Sequence, residues 1–349
     1  MKIKDVRKIL ADNDFVRTPG SFGEARCAAY FQNACASLGL SALARTFPIP
    51  AWEEEYSYLA VDGVEIPCRA RLGSPNQSAY GRLRYLAGLT DAALRAVKDS
   101  IVLTDRPISQ ELYRRLLAVG VRAIISTSGD VRDASGEIDV RPITFKRGYN
   151  EYIPWVAVHV RDALAVMKRG ASKADVRTRM KESRGISQNV ILDFEGESDD
   201  TVVVSAHYDS TSLSRGAYDN LSGSIVLLYL AERLSEMKLS RRVRLLWCGA
   251  EEWGLLGSLA YCDTQAKDAP KTVLNVNLDM LGCTMGEMVA FSSADEETAT
   301  VLEKFGAKNR VPLSVRHGIR SSDSNAFVRA GVPSVSFADS LNGLGPIRF

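Results

Sequence analysis

The stretch Thr201-Val-Val-Val-Ser-Ala-His-Tyr-Asp209 decides the fold. A continuous β-forming run, Thr201–Ala206, leads straight into an imidazole and a carboxylate, and no alternation of polar residues gives the strand a solvent face. A strand of this kind is buried on both sides, as in a parallel sheet covered by helices. The downstream chain repeats the pattern. Leu221–Leu234 reads as a helix after a Gly/Asn/Ser turn, Arg242–Cys248 as a strand and Leu255–Asp263 as a helix. Val273–Leu278 and Met288–Ser292 follow as strands, and Ala294–Gly306 as a helix. This alternation predicts an α/β domain with a mostly parallel mixed sheet and helices on both faces.

Upstream the texture differs. Residues 1–46 read as helical, most clearly Glu24–Leu38, where Ala28, Phe31, Ala34, Cys35 and Leu38 recur at helical spacing before Gly39. Phe47-Pro-Ile-Pro-Ala-Trp52 breaks helix twice and predicts a linker or an edge element. Between 53 and 185, short apolar runs (Gly81–Leu86, Ser100–Leu103, Val121–Ile125, Ile153–Val158) alternate with charged turns and two helical stretches, Ser109–Leu117 and Asp162–Lys168. The expected organisation is therefore a discontinuous domain, 1–52 with 186–349, and a smaller β-rich domain inserted at 53–185. A chain of 349 residues agrees with two domains of about 150 residues each.

Composition excludes several classes. With 46% hydrophobic and 25% charged residues the balance is globular, neither disordered nor collagen-like. Forty-four basic residues against 42 acidic ones leave a formal charge of +2, with no bulk field to draw in nucleic acid or anionic lipid. No apolar stretch approaches the ~20 residues that span a bilayer. Met1-Lys-Ile-Lys-Asp-Val-Arg-Lys8 lacks the apolar run of a signal peptide, so a cytoplasmic protein is expected, or a secreted one if the chain has been trimmed to a mature form. The six cysteines include no CxxC pair and read as small buried thiols rather than a disulfide framework.

The chemistry sits at strand ends, where open α/β sheets bind ligands. The first strand ends in His207-Tyr208-Asp209, the second in Glu251-Glu252 and the third in Asp279. Asp219, in the loop Arg215–Gly223, opens onto the same edge. Singly, each has an ordinary explanation: a Glu pair suits a helix N-terminus, and Asp-Asn-x-Ser-Gly is a common turn and cap. Their coincidence on one edge is the signal. One imidazole with several carboxylates and no thiolate is a donor set for catalytic Zn²⁺, with Mn²⁺ or Co²⁺ as substitutes. Such a metal activates water and polarises a carbonyl, while a carboxylate outside the ligand set acts as base. Glu251 and Glu252 offer one residue for each task, because neighbours past a strand end point in different directions. His159, at the end of an apolar run, reads as a core or strand-edge histidine.

The blocks His207-Tyr-Asp-Ser210, Gly216-Ala-Tyr-Asp-Asn-Leu-Ser-Gly223, Glu251-Glu-Trp-Gly-Leu-Leu-Gly-Ser258, Asn277-Leu-Asp-Met280, Ser322-Asp-Ser324 with Phe327, and Gly331-Val-Pro333 resemble the M28 zinc peptidases. These aminopeptidases with two co-catalytic metals share their fold with glutamate carboxypeptidases and glutaminyl cyclases. The likeness covers 186–337 and extends to Pro19-Gly-Ser-Phe-Gly-Glu24; residues 53–185 are similar, more weakly, to a protease-associated insert. The resemblance implies two Zn²⁺ ions bridged by Asp219, with His207 and Asp279 on the first and Glu252 on the second. It also implies Glu251 as general base, Asp209 orienting the His207 imidazole, and a cis Asp219–Asn220 peptide. Ser322-Asp323-Ser324 departs from the usual Ser-Asp-His.

The second metal site is incomplete. The family's final histidine, after the Gly-Val-Pro strand, has no counterpart up to Phe349, and His317 precedes the Ser-Asp-Ser block, where it reads as a surface residue. Three alternatives stay open: a ligand on chain beyond Phe349, which is favoured, a weakly held second zinc, or a dead second site. The implied function is removal of N-terminal residues from peptide substrates, without nucleic-acid or membrane partners. A carboxypeptidase, a glutaminyl-cyclase-like enzyme and an inactive peptidase-like binding protein are the alternatives; retention of His207 and Asp279 argues against a single-zinc cyclase. Met280, Leu281 and Met285 hint at an apolar specificity pocket, although core packing explains them as well.

Overall fold

The computed structural model describes residues 5–144, 152–264, 271–283 and 286–340. The chain divides into two compact units, one made of the residues up to Ile49 together with those from Gly185 onward, the other of Pro50–Arg184.

In the first unit the sheet order is Leu313–His317, Glu287–Ser292, Ser334–Ser340, Thr272–Leu278, Ser198–His207, Arg241–Cys248 and the last part of Lys173–Phe194. The inner strands, from Ser334–Ser340 to Arg241–Cys248, are parallel. Glu287–Ser292 and Lys173–Phe194 each join them antiparallel, which makes the sheet mixed. The continuous apolar runs are explained by burial on both faces. Val190, Leu192, Val204, Ala206, Leu245 and Trp247 face a core shared with the helices Phe22–Ser37 and Ser222–Leu234. Ile191, Val203, Leu246 and Cys248 point the other way, toward Tyr261 of Leu256–Asp263 and Phe327 of Ser324–Arg329. Each Val, Leu or Ile among them contributes ~1.5–3 kcal/mol on burial. Phe31 stacks on Trp247 at 5.6 Å, and the indole N–H donates to the Ser224 carbonyl at 3.0 Å, so the largest core residue carries no unpaired polar atom.

Two strands differ from expectation. Leu43–Val61 runs unbroken through Phe47–Trp52. Phe47 and Ile49 are buried while Pro48 between them is exposed, and proline fits extended backbone wherever its missing N–H is not needed. Lys173–Phe194 is a single long strand; Ala174, Val176, Thr178 and Met180 alternate inward between charged residues that are exposed or half-buried, a period-2 pattern that the charges of Lys181–Arg184 obscure.

In the second unit Gln77–Tyr85, Ile101–Thr104, Ala123–Ser128 and Trp155–His159 form a parallel series. Cys68–Ala70 lies antiparallel at one edge and the first part of Lys173–Phe194 at the other. Helices Asp91–Ala96, Gln110–Ala118 and Val160–Lys168 complete it. His159 is buried and caps the last of these, its Nδ1 accepting from the Arg161 backbone N–H at 3.3 Å. All six cysteines are free; Cys27, Cys35 and Cys248 are buried, whereas Cys68, Cys262 and Cys283 are only partly covered, because they sit at element ends and in loops. No helix among the described residues is long and apolar enough to cross a membrane.

Candidate active site

His207 is the last residue of Ser198–His207, Asp279 follows the end of the neighbouring strand Thr272–Leu278, and Asp219 stands in the wide turn Ala217–Leu221. Parallel pairing brings these ends together. His207 Nε2 is 3.1 Å from Asp219 Oδ1 and 3.6 Å from Asp279 Oδ1, and the donor atoms of the trio all lie within 4.8 Å of one another. His207 and Asp279 are buried, while Asp219 keeps one side open.

The Asp219 turn is fastened by its neighbour. The Asp219–Asn220 peptide is cis. Buried Asn220 accepts at Oδ1 from Gly223 N (3.0 Å) and Met280 N (3.1 Å) and donates from Nδ2 to the Leu278 carbonyl at 2.9 Å. Ser222 Oγ accepts from Leu281 N at 3.0 Å. One ligand loop is thereby tied to the strand end that carries the other. Gly223 permits the approach: a Cβ there would stand 2.3 Å from the Leu278 carbonyl oxygen.

Arg17 fastens the other end of the same loop. Its buried guanidinium donates to the carbonyls of Tyr208 (2.6 Å), Asn13 (3.1 Å), Phe15 (2.9 Å), Arg215 (2.7 Å) and Gly216 (3.0 Å). Neither Arg17 nor Asn220 stands out in the sequence. Arg17 works on backbone atoms more than 190 positions away, and Asn220 reads as part of an ordinary turn.

Asp209 is fully buried. Its Oδ1 and Oδ2 accept from the backbone N–H groups of Glu251 and Glu252, at 3.0 Å each. His207 Nδ1 lies 3.3 Å from Asp209 Oδ1 without hydrogen-bond alignment, so the carboxylate orients the Glu pair more directly than it does the imidazole. The Glu251 and Glu252 carboxylates lie outside the close-packed trio, which is the only such donor group among the described residues. His317 is exposed on the outermost strand and is not part of the donor trio. Met285 and the residues after Ser340 lie outside the described residues.

The electrostatics call for a cation. Burial alone would lower the His207 pKa, but Glu251, Asp209, Asp219 and Asp279 together hold it well above the ordinary imidazole value. Burial chiefly raises the Glu251 carboxyl well above the carboxylate range; His207 opposes this, and Asp323, Glu252 and Asp279 add to it. Asp323, fully buried at the start of Ser324–Arg329, is pushed up to about 6 by burial. For Asp279 burial acts upward, yet the His207 imidazole and Arg320 bring the carboxyl below its usual value. One imidazole cannot balance this many carboxylates. Asp279 Oδ1 and both Asp323 oxygens are buried with no hydrogen-bond partner. A mixed N/O trio with an unpartnered carboxylate oxygen fits Zn²⁺.

Comparison with known proteins agrees. Residues 189–344 match the model of peptidase family M28. The chain is 28% identical over 344 residues to aminopeptidase YwaD of Bacillus subtilis, covering 92% of this chain and 71% of that protein. It is 33% identical over 159 residues to leucine aminopeptidase 2 of Trichophyton equinum, covering 42% of this chain and only 32% of that protein. Among solved structures it is similar to BSAP, a zinc aminopeptidase from Bacillus subtilis, with a TM-score of 0.76 and 26% identity over 97% of this chain and 86% of that one. Mixed sheet, strand-end donor trio and relatives together define a metallopeptidase. The likeness to peptidase family M28 lies in residues 189–344, and the similarity to the Bacillus aminopeptidases extends along most of the chain.

Proposed function

We propose that this protein is a zinc aminopeptidase that removes the N-terminal residue of peptides. The observation that carries the proposal is the convergence of His207, Asp219 and Asp279 within 4.8 Å at the carboxyl ends of parallel strands. The aminopeptidase relatives support it.

In this reading His207, Asp219 and Asp279 would hold one zinc, and Glu252 with Asp219 would hold a second. Bound zinc supplies activation of water and polarisation of the scissile carbonyl. Glu251 takes a proton from the attacking water and hands it to the leaving nitrogen. The environment that raises its carboxyl suits a group that must hold that proton in transit. Asp209 fixes the backbone of the Glu pair through the two 3.0 Å hydrogen bonds, and Asn220 and Arg17 hold the Asp219 loop from its two ends. The Pro50–Arg184 unit fits a protease-associated-like insert, with a parallel strand series and helices of its own.

The test is hydrolysis of a free-amine peptide against its N-acetylated counterpart, before and after chelation. Cleavage of the free peptide alone, lost with chelator and restored by Zn²⁺, is expected. Equal cleavage of the blocked peptide, or activity indifferent to chelation, would overturn the proposal.

A further inference from the structure

Arg320 lies in the loop after Leu313–His317, and its half-buried guanidinium sits against the candidate metal site. Nη1 donates to the Asp279 backbone carbonyl at 3.2 Å and Nη2 contacts Met280 Sδ at 3.2 Å. Guanidinium carries five N–H donors, so most remain unspent. No carboxylate among the described residues forms an ion pair with it. Arg244 is the contrast: its guanidinium grips both Asp193 oxygens at 2.7 Å each. Asp279, whose backbone carbonyl Arg320 holds, feels its charge, while the Oδ2 of Asp339 accepts from Cys283 N at 2.5 Å. Tyr218 opens on the same space: burial first, then Asp339 and Cys283, push its hydroxyl up to about 12, and Arg320 acts against them.

A half-buried guanidinium with unspent N–H groups has given up part of its hydration. A carboxylate restores it with parallel charge-assisted hydrogen bonds. The anchor on the Asp279 carbonyl fixes the cation next to a candidate ligand, where a bound substrate must lie, and one residue past the scissile bond is one Cα step, about 3.8 Å. A cationic group therefore lies beside Met280 at the candidate site.

We infer that Arg320 receives a carboxylate of the peptide substrate, from either an acidic N-terminal side chain or the free C-terminus of a dipeptide. This rests on the aminopeptidase reading, and two substrate pairs separate the two sources. Glutamyl- against glutaminyl-p-nitroanilide tests the side chain; leucyl-glycine against leucyl-glycinamide tests the C-terminus. In the zinc-loaded protein a preference of about 10-fold or more in kcat/KM, carried in KM, is expected for the carboxylate member of at least one pair. Arg320→Met should collapse that ratio toward one, and Arg320→Lys should keep part of it. The ratio reads the contact even if Arg320→Met lowers all rates by loosening the Asp279 strand end. No preference in either pair, or a preference that survives Arg320→Met, overturns the inference. If no substrate is cleaved, the aminopeptidase reading fails, and calorimetric binding of the same dipeptide and its amide to zinc-loaded Glu251→Gln decides on Arg320: equal affinities overturn the inference and tighter binding of the acid sustains it.

Discussion

Replacing Arg17 with methionine keeps a buried apolar stem and removes five hydrogen bonds to backbone carbonyls. The bonds to Tyr208, Asn13 and Gly216 are buried, and those to Phe15 and Arg215 partly so. A buried carbonyl left unpaired costs roughly 1–3 kcal/mol. Deleting the guanidinium also removes its own desolvation cost, which already pulls its pKa down. The net loss is then on the order of 4 kcal/mol, a large part of the ~5–15 kcal/mol that holds a domain folded. Urea unfolding followed by circular dichroism reads this directly in metal-free protein. Because Tyr208 and Gly216 bracket the segment between His207 and Asp219, zinc affinity should fall along with stability. Arg17→Lys, with three donors instead of five, should recover only part of the loss. A stability change below about 1 kcal/mol together with unchanged zinc affinity would refute the reasoning.

Three further outcomes follow from the same geometry. Asp209→Asn sets an amide N–H against one of the two Glu backbone donors; zinc affinity from chelator competition and kcat should each fall roughly 10–100-fold, and wild-type values would exclude a positioning role. Gly223→Ala drives a Cβ to 2.3 Å from the Leu278 carbonyl and should destabilise by about 1–3 kcal/mol with weakened zinc binding; a neutral result in urea unfolding would contradict the close approach. Glu24, buried and close to Asp209, has its carboxyl pushed up to about 8, burial being the main cause, although it accepts hydrogen bonds from Gly20, Ser187 and Ala250. The folded state therefore keeps a proton that the unfolded chain has already released above its ordinary value. Stability contributed by Glu24 is complete at acidic pH and declines as pH rises toward 8, by up to ~1.4 kcal/mol per unit. Metal-free Glu24→Gln should show a shallower decline between neutral pH and that point, and an identical slope would rule the effect out.

The central strands were readable because burial on both faces leaves unbroken apolar runs, as at Thr201–Ala206. His207, Asp219 and Asp279 were readable for a related reason: parallel strands place consecutive strand ends side by side, so residues 72 apart in sequence become neighbours. Leu43–Val61 was obscured by prolines whose missing N–H groups cost an extended strand little, and Lys173–Phe194 by a charged stretch that looks like a loop. Arg17, Asn220 and Arg320 were illegible for a different reason. Each acts on backbone carbonyls brought near only by tertiary folding, and backbone acceptors leave no mark in a sequence.

Zinc content and hydrolysis rate, measured on the same samples of wild-type, Glu251→Gln and Asp219→Asn protein, test the assignment of ligands and base most directly. Glu251→Gln should bind zinc as the wild type does and lose at least about 100-fold in kcat, whereas Asp219→Asn should lose zinc itself. Equal zinc loss in both variants, or full activity in Glu251→Gln, would contradict the assignment.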